Sequence, residues 1–316
     1  MAHTAYTRCM SIGLMFPGQG AQVAGFLHDL PDVPAVRSTL QHASDLLGFH
    51  VLTLDSEAAL QSTVSVQLAL VVAGAAFASF CAAERIEPTA VAGMSVGAYS
   101  AAIAAGAVDL KTALQLVQRR AESMQAAFLP GTHGMLVIGG LRLRAIKSLL
   151  LDSSAVVANI NSPSQHVIAG EVSALEPLRL RALEQGADLA RLLPMAVASH
   201  TPALLPAAEQ LMHIAMALPF ATPATPMYSG RTGRALSTAQ SVREELAWNM
   251  AYPVLWNDTV AALGSLGIDL LLEAPPGATL TRLAAQILPA VASLAAGEAR
   301  WDLLLREARR QQRPAG

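Results

Sequence analysis

The pentapeptide Gly93-Met94-Ser95-Val96-Gly97 constrains this 316-residue chain more than any other segment. It closes a short apolar run, Thr89 to Gly93, and opens an Ala-rich helical run towards Ala107. A serine between a buried strand and a helix, with glycine two residues away on each side, reads as a nucleophile elbow: a tight turn that exposes the hydroxyl above a sheet. Glycines there let neighbouring backbone approach where a Cβ would clash. The following helix N-terminus adds N–H donors and a positive dipole for a developing oxyanion. The other reading of the same residues is an ordinary Gly-Ser turn.

The pattern around the elbow alternates short apolar strands with helices, the signature of a parallel sheet covered on both faces. Ser11–Phe16 reads as a strand closed by Pro17-Gly18-Gln19-Gly20. Helices follow over about Val33–Leu47, Ser65–Glu84 and Leu110–Phe128. From 131 to 198 the rhythm changes. Strand Gly134–Ile138, helix Arg142–Leu151, strands Ala155–Ile160 and His166–Ala169 joined by Asn161-Ser162-Pro163-Ser164, helix Ser173–Gln185 and strand Leu189–Leu193 give β-α-β-β-α-β. The expected fold class is therefore α/β: a large α/β-hydrolase-like domain with a mainly parallel sheet, from residues 10–130 and 199–316, interrupted by an inserted ferredoxin-like small subdomain at 131–198. A helix near Pro202–Ala217 and a strand near Ile268–Glu273 resume the large domain, and the charged tail from Arg306 is expected to fray.

Composition narrows the function. With 53% hydrophobic and 14% charged residues a large core is available. A net charge of −2 without long runs of one sign argues against a nucleic-acid partner. The two cysteines, Cys9 and Cys81, have no metal-ligand spacing, so neither a disulfide scaffold nor a metal site is expected. The longest uncharged apolar stretch, Leu68–Ala83, is shorter than the ~20 residues that span a bilayer and reads as a core helix. No secretory h-region precedes Met10, itself a candidate native start, and the expected location is cytoplasmic.

Further residues converge on the elbow. The Pro17–Gly20 turn ends the first strand, where a parallel sheet places its binding crevice, and the Gln19 and Val96 N–H groups suit an oxyanion hole. Of eight histidines, four follow Ser95. His200 ends the apolar run that begins at Pro194, at the exit of the small subdomain, where it can face a cleft. Arg120 shares a helix face with Ala113, Leu116, Met124 and Ala127, whereas Arg119 aligns with Thr112, Gln115 and Ser123. An arginine on an apolar row needs an anion: a bound carboxylate, held through two parallel hydrogen bonds, or an internal Asp or Glu, unless it snorkels to water.

Phe16-Pro17-Gly18-Gln19-Gly20, Gln67, Gly93-Met94-Ser95-Val96-Gly97, Arg120 before Met124-Gln125, Asn159 through Gln165, Ile168-Ala169-Gly170, Ser199-His200, Pro253-Val254-Leu255-Trp256 and Glu273 through Gly277 to Leu280 occur in this order. Together they resemble the malonyl-CoA:acyl-carrier-protein transacylase family over nearly the whole chain. Within it the chain looks most like the epsilon subunit of malonate decarboxylase, through Leu52–Ser56, Ser62–Leu70, Gly93–Ala98 and Glu273–Gly277. The resemblance implies Ser95 as nucleophile, His200 as base, Arg120 on the malonyl carboxylate, Gln19 and Val96 on the oxyanion, and Gln67 and Asn161 among the substrate-binding residues. It also implies a backbone carbonyl, from Leu255, that orients His200. No bound cofactor is implied. The resemblance implies malonyl-CoA as substrate and, as acceptor, the phosphopantetheine-type thiol of an acyl carrier protein, with the malonate decarboxylase carrier subunit as one candidate. Met94 stands where most members have histidine, and His133 occupies a turn where small residues are usual.

Two rival readings stand beside transfer: a serine hydrolase, which an acidic third member after Ser95 would favour, and a non-catalytic carrier-docking scaffold. Fatty-acid and polyketide carriers are alternative acceptors. Arg142, Arg144 and Lys147 are a candidate basic patch for an acidic carrier, or an ordinary solvated helix face.

Overall fold

A computed structural model describes residues 11–193, 197–298 and 301–312; Cys9, Met10, Pro194 to Ala196 and the end of the tail lie outside them. In chain order the elements are β1 (Ser11–Phe16), α1 (Pro34–Leu47), α2 (Thr63–Ala83), β2 (Ala90–Gly93), α3 (Gly97–Ala104), α4 (Leu110–Ala126), β3 (His133–Gly139), α5 (Leu143–Leu149), β4 (Val156–Ser162), β5 (Gln165–Glu171), α6 (Val172–Glu184), β6 (Leu189–Leu192), α7 (Leu205–Met216), β7 (Met227–Tyr228), β8 (Ala235–Leu236), α8 (Ala239–Trp248), α9 (Trp256–Ser265), β9 (Ile268–Glu273), α10 (Thr279–Ile287), β10 (Ala292–Ala295) and α11 (Trp301–Gln312).

β1 and β2 are continuous apolar runs because both of their faces are covered, as in parallel sheets generally. They lie inside a six-stranded sheet of order β10-β9-β1-β2-β7-β8, parallel except for the final β7–β8 hairpin. The register pairs Phe16 with Gly93, and the Met94 N–H donates to the Phe16 carbonyl at 2.9 Å. The turns after β1 and β2 therefore leave the same edge side by side. Helix α2 starts at the Ser62 cap and packs on α1, α3 and α4. Among the described residues it is the one helix long and apolar enough to cross a bilayer, yet 78% of that stretch is buried inside the protein. Each fully buried large apolar side chain contributes about 1.5–3 kcal/mol, so α2 belongs to the core.

The insertion forms a separate antiparallel sheet of order β4-β5-β3-β6. Strand alternation divides it. Leu136, Ile138 and Ile168 pack with Ile146 and Leu149 of α5 and Leu175 and Leu178 of α6. Met135, Val137 and Val167 face the large domain across a cleft. Arg144 and Lys147 sit on α5, on the side of the small sheet away from that cleft, so the expected basic patch does not border it. The free edge of β4 is stitched to the large domain. The Ile160 N–H donates to the Val254 carbonyl and the Val254 N–H to the Ala158 carbonyl, both at 2.8 Å.

Some expected boundaries shift. Asn161 and Ser162 lie within β4 rather than in the turn, which is only Pro163-Ser164. The strand conformation is what aims Asn161 into the cleft. The tail through Gln312 is helical, and Trp301 packs against Phe77 and Phe80.

Candidate active site

Ser95 sits at φ 54°, in the left-handed region that non-glycine residues rarely adopt. The crowding around the turn explains why its neighbours are glycines. A Cβ on Gly93 would fall 2.2 Å from the Gly97 carbonyl, and one on Gly97 would fall 2.1 Å from the Phe16 carbonyl oxygen. The two glycines thus let the elbow fold back on β2 and let α3 begin against the end of β1. Val96 is the N-cap position of α3, and the Gly18 backbone lies directly beside Met94 and Ser95.

His200 also holds a positive φ, 63°, and its ring is buried. Nδ1 lies 2.7 Å from the Asn249 carbonyl and 3.1 Å from the Tyr252 carbonyl. Carbonyls only accept, so Nδ1 carries the proton and Nε2 presents its lone pair. Nε2 is 2.8 Å from Ser95 Oγ, which donates to it. Burial, and secondarily the charge of Arg120, depress the His200 pKa from 6.5 to about 4, against the raising effect of the two carbonyls. The imidazole is neutral at physiological pH and ready to accept a proton.

The expected orienting carbonyl, Leu255, is corrected by this geometry. Leu255 is the N-cap of α9, so its carbonyl accepts the Thr259 N–H and hydroxyl, both at 3.0 Å, and points along that helix. Asn249 and Tyr252 do the orienting instead. The Pro253–Trp256 segment contributes the Val254 stitch to β4 and the buried ring of Trp256.

Arg120 is fully buried and has no carboxylate partner among the described residues. Nη1 donates to Gln67 Oε1 at 2.5 Å, and Nη2 donates to Ser95 Oγ at 3.1 Å and Asn249 Oδ1 at 3.4 Å, while Nε has no partner. Arg119 is exposed and pairs with Glu122. The apolar row that carries Arg120 ends at Met124, since Ala127 is exposed, and Thr112 is buried beneath the Asp109 cap. Gln67 is a brace: its Nε2 donates to Gln19 Oε1 at 3.3 Å and its oxygen holds Arg120.

Asn249 was not legible in the sequence, and it ties the site together. Its carbonyl orients His200, its Oδ1 accepts from Arg120, and its Nδ2 donates to the Ser95 carbonyl at 3.2 Å. It stands in a single 3-10 turn after α8, a feature with no periodicity to read. Met94, in place of the family's usual histidine, packs with Met15, Val254 and Trp256 and lines the cleft. His133 stacks on Phe128 with ring centroids 4.6 Å apart.

The cleft above Ser95 has a volume of about 360 Å³ and runs between the two sheets. Gln19, Ser95 and His200 line one side, and Asn159, Asn161 and Gln165 the other. Asn161 Nδ2 donates to Gln165 Oε1 at 3.1 Å, and the buried side-chain oxygens of Asn159 and Asn161 have no partner among the described residues. Among the described residues no group of three His, Cys, Asp or Glu side chains is placed to hold a metal ion.

An elbow serine beside a neutral histidine, above a parallel sheet and beneath a deep cleft, defines a serine-nucleophile acyl-transfer enzyme. The chain belongs to the acyl transferase domain family, which it matches over residues 14–299. It is 34% identical to the malonyl CoA-acyl carrier protein transacylase of Haemophilus influenzae over 87% of this chain and 91% of that one. The solved malonyl CoA-acyl carrier protein transacylase of Coxiella burnetii superposes with a TM-score of 0.91 at 30% identity, covering 98% of this chain and 100% of that one. A malonyl-transacylase solved in complex with a type II polyketide acyl-carrier protein gives a TM-score of 0.87 at 33% identity, covering 94% of this chain and 98% of the matched chain.

Proposed function

We propose that this enzyme transfers a malonyl group from malonyl-CoA to the phosphopantetheine thiol of an acyl carrier protein through a malonyl-Ser95 intermediate. The observation that carries this reading is Arg120: a buried guanidinium with no acidic partner among the described residues, hydrogen-bonded to the nucleophile itself. A malonyl group places a carboxylate two bonds beyond its reacting carbonyl, and that carboxylate supplies the anion Arg120 lacks.

His200 Nε2 takes the Ser95 proton as Oγ bonds to the thioester carbon. The Gln19 and Val96 N–H groups hold the oxyanion. Collapse breaks the C–S bond, and His200 returns the proton to the departing CoA sulfur. The carrier thiol then gives its proton to His200 and attacks the ester carbonyl; the C–Oγ bond breaks as His200 returns that proton to Ser95 Oγ. Arg120 lowers the basicity of His200 and donates to Ser95 in the free enzyme. A bound carboxylate offsets that charge, so the dicarboxylic substrate strengthens the base it needs. With backbone carbonyls rather than a carboxylate behind His200, the site lacks the acidic third member of a serine hydrolase.

The architecture supports one finer assignment. The 131–198 unit is read as a ferredoxin-like subdomain from its strand order and antiparallel pairing, inserted into an α/β-hydrolase-like domain formed by 10–130 and 199–316. With 78% of its apolar stretch buried, α2 is read as a core helix and not as a membrane span. Membership of malonate decarboxylase, as its epsilon subunit, rests on the Leu52–Ser56, Ser62–Leu70 and Glu273–Gly277 segments. Comparing that complex's carrier with a fatty-acid carrier as acceptors tests it.

Intact-protein mass after brief exposure to malonyl-CoA tests the whole proposal. A malonyl adduct is expected on the wild type and none on Ser95→Ala. An adduct that persists on Ser95→Ala overturns the nucleophile. A folded wild type that neither labels nor hydrolyses malonyl-CoA favours the scaffold reading.

A further inference from the structure

Strand β6 presents Leu189 and Arg191 to the cleft, followed by Leu193 just past its end, while Ala190 and Leu192 pack towards α5 and α6. Arg191 thus occupies a position that period-2 alternation fills with apolar side chains, opposite Val137. It is the one charged residue on the cleft face of the small sheet among the described residues, and it forms no ion pair there. Arg282 reaches the same cleft from the opposite wall, on α10. Its ion pair is with Glu298, and both side chains are more than half exposed (65% and 54%), so the pair is weak and exchangeable.

Among the described residues no aspartate or glutamate lines the cleft, although the chain carries 23 acidic residues against 21 basic ones. The local field is positive where the molecule as a whole is slightly negative, and a walled cleft concentrates such a field. Burial separates the enclosed polar groups from the arginines. Ser95 is half-buried, the Asn159 and Asn161 amides are buried, and Arg191 and Arg282 are exposed. A pantetheine arm carries its thioester and two amides ahead of a terminal phosphate, which suits enclosed polar groups backed by exposed arginines.

Building on the transacylase reading, we propose that Arg191 and Arg282 form an anion seat at the mouth of the cleft. It takes the phosphate at the far end of a pantetheine arm, whether that arm belongs to CoA or to a carrier. Neither arginine touches the reacting atoms, so the seat acts on binding and encounter.

The test measures kcat/KM for Ser95 malonylation by malonyl-CoA, malonyl-phosphopantetheine and malonyl-pantetheine, which lacks the phosphate. The enzymes are wild type, Arg191→Ala, Arg282→Ala and the double variant. Each single change is expected to lower kcat/KM about 3- to 5-fold, and the double change about tenfold or more, with the two phosphate-bearing donors. Malonyl-pantetheine rates are expected to stay unchanged. The same loss appearing in transfer to a phosphopantetheinylated carrier assigns the seat to both sources. An equal loss on malonyl-pantetheine overturns the seat in favour of a structural role. A loss confined to malonyl-CoA overturns it in favour of the nucleotide phosphates, and one confined to the carrier in favour of a protein surface contact. Failure of the wild type to label with any donor sinks the transacylase reading instead.

Discussion

On the large-domain wall of the cleft, Ser95, His200, Arg120, Gln67 and Asn249 hold one another through hydrogen bonds already in place without substrate. On the small-sheet wall, Asn159 and Asn161 carry buried oxygens that no group among the described residues satisfies. The contrast separates two tasks. Groups that bond to the reacting atoms are fixed beforehand, because reorganisation during the reaction would raise the barrier. Groups that read the rest of the substrate are left open, and the ligand's N–H groups complete them.

Breaking the fixed wall is expected to cost most. Arg120→Ala removes the anion partner and one brace on Ser95, and malonyl kcat/KM is expected to fall about 100-fold, while activity on acetyl-CoA rises relative to it. Unchanged malonyl kinetics in a steady-state assay would sink the clamp.

A pH profile sharpens the same contrast. His200 stays neutral in the fold down to a pKa of about 4, so the acid limb of malonyl-Ser95 formation is expected there, falling about tenfold per unit below it. In Arg120→Ala the limb moves up towards 6.5, because one of the depressing causes is gone. The stability sign follows separately. Between 6.5 and about 4 the unfolded chain binds a proton that folded His200 does not, so stability falls as pH drops through that window. A wild-type limb near 6.5 would contradict the buried neutral imidazole.

The open wall should yield the smallest effect. Asn161→Ala removes one acceptor, and KM for malonyl-CoA is expected to rise about 3- to 5-fold with kcat nearly unchanged. A fall in kcat comparable to that of Arg120→Ala would erase the division between the walls.

Much of this was legible in the sequence where physics is local. The elbow announced itself because strand, glycine and helix signals coincide within a few residues, and Arg120 because a charge broke an apolar row. What stayed hidden depends on contacts between distant segments. Asn249 meets Ser95 across 154 positions of chain from a 3-10 turn, and the two-residue strands β7 and β8 are too short to show alternation. Leu255 was misplaced because a helix cap redirects its carbonyl, and a cap is decided by where α9 begins rather than by the motif around it.

Ser95 and His200 share one further property: each holds a backbone conformation that its side chain disfavours, at a cost of roughly 1–3 kcal/mol. That cost persists only while the reaction is useful. A descendant released from the reaction would gain heat tolerance by placing glycine at either position. A relative of this chain with glycine there would therefore read as a retired enzyme, better folded than its ancestor and unable to carry an acyl group.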